Sequence, residues 1–116
     1  REMLDYYIER IPKILGAGIK DIMIDPGIGF AKTIEQNFYL LQHLHVFKML
    51  EFPVLVGLSR KSFIWKTLNT NAEHALNGTT AMHFKALEGG AKILRVHDVA
   101  PAMETITLWK KLNQFV

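Results

Sequence analysis

No cysteine occurs among the 116 residues, which excludes disulfides and thiolate metal sites and suits a reducing, cytoplasmic setting. No apolar run approaches the roughly 18 residues of a membrane span. The opening Arg1-Glu2-Met3-Leu4-Asp5 lacks the shape of a signal peptide, so no membrane partner is expected. Basic residues also form no run: 14 Lys and Arg against 11 Asp and Glu give a net charge of +3, but they are scattered. Scattered charge argues against nucleic acid as a partner and suits an anionic small molecule. Linkers, repeats and low-complexity tracts are likewise missing. What remains, 49% hydrophobic and 22% charged residues, is the composition of one ordinary globular domain.

Within that composition one grammar occurs three times. The apolar run Ile22-Met23-Ile24 leads into Asp25-Pro26-Gly27-Ile28-Gly29-Phe30. Val54-Leu55-Val56-Gly57 leads into Leu58-Ser59-Arg60-Lys61-Ser62, and Ala91-Lys92-Ile93-Leu94 into Arg95-Val96-His97-Asp98. Short apolar runs predict buried parallel strands, the third spanning Lys92 to Val96. Each delivers charge at its carboxyl end, where α/β folds place their chemistry.

Helical spacing separates the runs. Leu4, Ile8, Ile11 and Leu15 predict a helix from Glu2 to about Leu15. Thr33 and Gln36 make a capping box for a helix carrying Leu40, Leu41, Leu44, Phe47 and Leu50 up to Pro53. Ser59 is placed to cap a short helix from Arg60 to about Leu68, and Thr70 with Glu73 forms a second capping box for a helix ending at Gly89-Gly90. Pro101 opens a last helix with Ala102, Ile106, Trp109 and Leu112 on one face. Three rounds of strand and helix imply a parallel α/β sheet. Three strands leave sheet edges open, and a (β/α)₈ barrel takes about 250 residues. The expected architecture is therefore the carboxyl-terminal portion of a (β/α)₈ TIM barrel, with residues 1–116 as a single partial domain whose amino-terminal strands are absent.

Each candidate site residue has a plain structural reading beside the functional one. Ile93, Arg95 and His97 share a strand face, and an arginine inside a strand buried on both sides is costly unless it meets a partner or ligand. His97 alone reads as a core or loop histidine, and its place beside Arg95 is what brings it into the site. Lys61 and Ser62, in the first turn of the predicted Ser59-capped helix, offer cation and free N–H groups to an anion. Arg60 reads equally as a surface charge, and Asp98 as a cap or ion-pair partner. Asp25 could cap its own loop, yet its strand-end position favours a ligand contact. Phe30 is loop packing or the wall of an aromatic pocket, and Lys32 is undecided. His43, His45, His74 and His83 read as solvated or helical, with no metal-site spacing.

The segments Asp25-Pro-Gly-Ile-Gly-Phe-Ala-Lys32, Pro53-Val-Leu-Val-Gly-Leu-Ser-Arg-Lys-Ser-Phe63 and Arg95-Val-His-Asp-Val99, in this order, resemble dihydropteroate synthase over essentially the whole chain. Ala31 stands where that family more often has glycine. The resemblance implies condensation of 6-hydroxymethyl-7,8-dihydropterin pyrophosphate with p-aminobenzoate to 7,8-dihydropteroate and pyrophosphate, by a cytoplasmic, homodimeric, Mg²⁺-dependent transferase that sulfonamides target. It implies Lys61, Arg95 and His97 as catalytic residues. Asp25, Gly57, Phe30, Lys61, Ser62, Arg95 and His97 would bind substrate, and none of them would hold metal. Asp25 would hydrogen-bond the pterin, Arg95 stack on it, His97 hold a pyrophosphate oxygen, and Ser62 receive the p-aminobenzoate carboxylate. The Mg²⁺ ligand is expected in the missing amino-terminal part, so these residues alone should keep an anion site without turning over substrate. The alternatives are a pterin-binding methyltransferase domain that uses methyltetrahydrofolate, and a non-catalytic partial barrel that binds an anion.

Overall fold

Three short backbone stretches lie side by side and parallel. In the computed structural model, which describes residues 2–18, 21–30 and 32–115, β1 (Val54–Val56) pairs in parallel with β2 (Ala91–Leu94). Ile24 joins the opposite edge of β1 by a parallel bridge to Val54. Its N–H donates to the Pro53 carbonyl at 2.8 Å, and its carbonyl accepts from the Leu55 N–H at 2.7 Å. The three runs are thus in sequence order and parallel, but the first contributes one bridging residue where a strand is predicted. The ladder stops there because Pro26, the next residue whose N–H would face β1, has none to give; the Asp25 carbonyl, on the other edge, accepts from the Tyr7 hydroxyl at 2.7 Å.

β2 is also shorter than the predicted Lys92–Val96. Its register against β1 skips Lys92, pairing Val54 with Ala91 and Leu55 with Ile93. Beyond Leu94 the Arg95 N–H still donates to the Val56 carbonyl at 2.9 Å. Ile24, Val54 and Val56 sink into a core with Leu41, Leu44, Phe47, Phe63, Ile64 and Ala86. β2 is covered on one side only: Ala91 is buried, whereas Lys92 is exposed and Ile93 is 38% exposed. Arg95 therefore does not lie inside a strand buried on both faces, and its side chain is 54% exposed.

The helices follow their apolar spacing with corrections at their ends. α1 (Glu2–Gly16) buries Leu4 and Ile11, while Ile8 and Leu15 stay exposed. α2 (Ile34–Gln42) starts at the predicted capping box, with Thr33 Oγ1 accepting from the Gln36 N–H and Gln36 Oε1 from the Thr33 N–H. It gives way to a 3₁₀ segment, Leu44–Leu50, that turns Leu44 and Phe47 into the core. α3 (Ser62–Thr67) begins later than predicted, with Lys61 at the N-cap. Ser59 does not cap it, because its hydroxyl is occupied by the His97 N–H. The Thr70–Glu73 box does not form either, since Asn71 Oδ1 accepts from the His74 N–H and caps the short 3₁₀ turn Ala72–His74. α4 (Leu76–Glu88) ends at Gly89-Gly90, and α5 (Val99–Asn113) carries Pro101 in its first turn. Ala102 and Thr105 are the buried residues of α5, while Leu112 is 60% exposed. No described helix is long and apolar enough to cross a membrane.

Because Ile24 is fully buried and alone joins its segment to β1 by a bridge, Ile24→Ala should destabilise the fold by about 2–5 kcal/mol. Urea unfolding of the parent and the variant measures this, and a loss under about 1 kcal/mol would mean that the site collapses around the smaller side chain.

Candidate functional site

The parallel arrangement puts all three carboxyl ends on one side, and the charged residues gather there. Asp25 divides its carboxylate: Oδ1 accepts from the Gly27 N–H at 2.9 Å, and Oδ2 lies 3.5 Å from Arg95 Nη1. Asp25 therefore does cap its own loop, and with its other oxygen it also reaches across to the β2 exit. The loop turns through Gly27 and Gly29, whose φ angles of 74° and 90° lie in the left-handed region that favours glycine. Asn37, buried on α2, accepts from the Gly29 N–H at 2.6 Å and donates to the Thr33 carbonyl at 3.0 Å. Lys32 Nζ donates to the carbonyls of Gly27 at 2.9 Å, Phe30 at 3.3 Å and Pro26 at 3.4 Å. A loop whose carbonyls and amides are so engaged holds one shape.

Lys61 reaches from the loop after β1 over this turn. Its Nζ donates to the Ile28 carbonyl at 2.8 Å and lies 3.8 Å from the centre of the Phe30 ring. The side chain crosses directly over Gly29, where a Cβ would collide with it. Burial, and then the nearby Arg95 cation, lower the Lys61 pKa from its ordinary 10.5. Gly57 does for Arg95 what Gly29 does for Lys61: a Cβ there would stand 2.5 Å from Arg95 Nη2 and 2.9 Å from Cζ. Its bareness lets the guanidinium lie close over the end of β1. Ser62 and His97 are exposed at the exits of the other two loops. The His97 N–H donates to Ser59 Oγ at 3.2 Å.

Arg60 is not a free surface charge. Its Nε and Nη2 donate to Asp98 Oδ2 at 2.8 Å and Oδ1 at 3.1 Å, and Nη1 donates to the Ala72 and Glu73 carbonyls. These hydrogen bonds hold the Asp98 carboxyl below its usual range.

The family model described as pterin binding enzyme matches residues 1–97. The chain belongs to the pterin-binding enzyme family. It is 39% identical over 112 residues to the dihydropteroate synthase of Haemophilus influenzae, a match covering 95% of this chain and 41% of that protein. A Yersinia pestis dihydropteroate synthase structure with a pterine-sulfa conjugate superposes with a TM-score of 0.94 at 32% identity, covering 99% of this chain and 46% of that one. The Coxiella burnetii dihydropteroate synthase in complex with pteroic acid gives 0.92 at 37% identity, covering 99% and 43%. The chain thus spans less than half the length of these relatives.

In this member of the family, the structure brings Asp25, Gly57, Phe30, Lys61 and Arg95 together, with Ser62 and His97 adjoining on the same loops. Ala31 falls outside the described residues. Sequence reasoning passed over Asn37 and Tyr7, which fix the Asp25 loop from two different helices. An asparagine on the apolar face of a predicted helix was the one available signal for Asn37. His83 is not solvated: it is 3% exposed on α4, its Nε2 meets no hydrogen-bond partner among the described residues, and burial lowers its pKa. Chemically, three cations, Lys32, Lys61 and Arg95, gather near the single carboxylate of Asp25, a cluster whose excess of positive charge suits an anion.

Two predictions follow from this geometry. Gly57→Ala should fold with a stability change under about 1 kcal/mol, since only the tip of a flexible side chain must move. A crystal structure of the variant should show Arg95 displaced and its distance to Asp25 longer than 3.5 Å, and an unmoved guanidinium would contradict the role given to Gly57. The second concerns pH. The lowered Lys61 pKa means that its cation is disfavoured until an anion arrives. Sulfate affinity, measured by titration calorimetry, should therefore fall as pH rises through a value below 10.5, with Lys61→Met removing that step.

Proposed function

We propose that these residues form the carboxyl-terminal portion of a (β/α)₈ barrel and the pterin and anion half of a dihydropteroate synthase site. The observation that carries this reading is the Asp25–Arg95–Lys61 cluster at the carboxyl ends of parallel strands, in a chain similar over nearly its whole length to dihydropteroate synthases. The complexes of the Yersinia and Coxiella proteins with a pterine-sulfa conjugate and with pteroic acid support the ligand class. Residues 1–116 are, on this reading, a single partial pterin-binding domain.

In the proposed reaction the amine of p-aminobenzoate forms a bond to the pterin methylene carbon as that carbon's bond to oxygen breaks. The bonding pair leaves on pyrophosphate, and the amine proton is given up to solvent or to the departing anion. Asp25 accepts from the pterin's paired N–H donors through the oxygen that now faces Arg95. Arg95, lying on Gly57 and open on its other side, stacks on the pterin ring. Lys61 holds the pterin edge beside Phe30, and the Phe30 ring walls the p-aminobenzoate. Ser62 meets the p-aminobenzoate carboxylate, and His97 meets the leaving pyrophosphate. Positioning and charge neutralisation supply the catalysis. Among the described residues no group of three or more His, Cys, Asp or Glu could hold a metal. These residues therefore do not fit a Mg²⁺ site by themselves; Lys61 and Arg95 neutralise leaving charge here, and His97 hydrogen-bonds it.

The test is turnover by the complete protein that carries this sequence, supplied with both substrates. Dihydropteroate should form in the parent. Arg95→Lys, which keeps the charge and loses the flat surface, should lower kcat/KM by roughly 10–100-fold, or about 1.4–2.8 kcal/mol. A parent without turnover sinks the synthase reading, and unchanged kinetics in Arg95→Lys sink the stacking role.

A further inference from the structure

Arg60 has the unusual property that every polar group it carries is engaged, in a backbone conformation that disfavours it. Its φ is 55°, in the left-handed region where a non-glycine residue needs support. Its N–H donates to Thr79 Oγ1 at 3.0 Å, and Thr79 is a buried residue of α4. Its carbonyl accepts from Trp65 Nε1 at 3.2 Å. The guanidinium grips both oxygens of Asp98 and the carbonyls of Ala72 and Glu73. Asp98 occupies the N-cap of α5, yet its side chain makes no capping bond there and is given to Arg60 instead. A bidentate arginine–carboxylate pair fixes both distance and orientation, which a point cation does not.

The location of this pair decides what it does. Arg60 directly precedes Lys61 and Ser62, and Asp98 directly follows His97. The loops after β1 and β2 are thus tied by the two Arg60–Asp98 bonds, with the bond from the His97 N–H to buried Ser59 as a third strut. We propose that Arg60 and Asp98 are positioning residues that hold the loop bearing Lys61 and Ser62 at one fixed separation from the loop bearing Arg95 and His97. The proposal rests on the synthase reading, in which Lys61, Arg95 and His97 share the pyrophosphate-bearing substrate and Ser62 meets the p-aminobenzoate beside it. Neither Arg60 nor Asp98 touches that substrate. Both act by keeping groups from two different strand ends at the spacing that one anion can bridge, where small misplacements are costly.

The experiment measures inorganic pyrophosphate binding by calorimetry to the complete protein carrying this sequence, and amide hydrogen exchange at His97. Asp98→Asn keeps the side-chain shape and removes the charge, while Arg60→Lys keeps the charge and removes the fork. Each should weaken pyrophosphate binding by roughly tenfold or more and speed exchange at His97, while unfolding remains cooperative. The double variant should be no worse than either single one, because a clamp is lost whole when one partner goes. Should Asp98→Asn fail to fold, Asp98→Glu serves in its place, since the extra methylene displaces the carboxylate while retaining its charge. Losses that multiply in the double variant, or pyrophosphate binding equal to the parent's, overturn the proposal. A parent that does not bind pyrophosphate at all overturns the synthase reading and the clamp with it, whereas a parent that binds and a variant that binds equally well overturn the clamp alone.

Discussion

Parallel pairing in a shared direction is the constraint on which the site depends. Ile24, Val54 and Ala91 stand abreast, so the residues that follow each of them must leave the sheet on the same side. Asp25 comes one residue after its bridge, Lys61 five residues after β1, and Arg95 immediately after β2. Residues about 70 positions apart in the chain, such as Asp25 and Arg95, meet at 3.5 Å for this reason. An antiparallel pairing of the same segments would send the charges to opposite ends, whatever their identities.

Given that placement, the polar groups of the loops decide how sharply the site is defined. The Asp25 loop has carbonyls that Lys32 and Lys61 bind and an amide that Asn37 binds, while Tyr7 fixes its first carbonyl from α1. Burial and the adjacent Asp25 charge raise the Tyr7 pKa, so the phenol stays protonated and able to donate. Two bare glycines complete the arrangement by letting cationic side chains lie directly on backbone. The positions that look weakest in the sequence, Gly29 and Gly57, thus set how close Lys61 and Arg95 come to their neighbours.

The sequence made visible much of what depends on local pattern, although the Thr70–Glu73 box lost out to the neighbouring Asn71 cap. The Thr33–Gln36 capping box, the stop at Gly89-Gly90 and the charged strand exits of Asp25, Lys61 and Arg95 all appear where spacing puts them. Hidden from it was the competition for side chains between distant segments. Ser59 has the right spacing to cap α3, but it is drawn to the His97 amide, 38 residues away. Arg60 and Asp98 read as bland charges because their partnership also spans 38 residues. The solvent exposure of Arg95 and Ile93 was misjudged because a strand run reports how apolar a segment is, and not whether both faces are covered. The barrel reading presumes such a cover, and the described residues supply it on one side of β2 only.

The cluster proposed to receive an anion works against the stability of the fold that carries it. Burial first, and then the neighbouring Arg95 and Lys32 cations against the one opposing carboxylate of Asp25, lower the Lys61 pKa, so the charged form is held there at a cost. A core built for stability alone would place an apolar side chain or a second carboxylate there. The strain is held because the flanking groups are fixed from outside the cluster: Arg60 and Asp98 brace the loops, and Asn37 and Tyr7 fix the turn beneath. On the proposed reading, a bound anion relieves the repulsion between these cations. A pyrophosphate or carboxylate entering between Lys61 and Arg95 removes their repulsion as well as forming its own bonds. On the proposed reading, affinity for an anion owes as much to the rigidity of uncharged and internally paired neighbours as to the cations themselves.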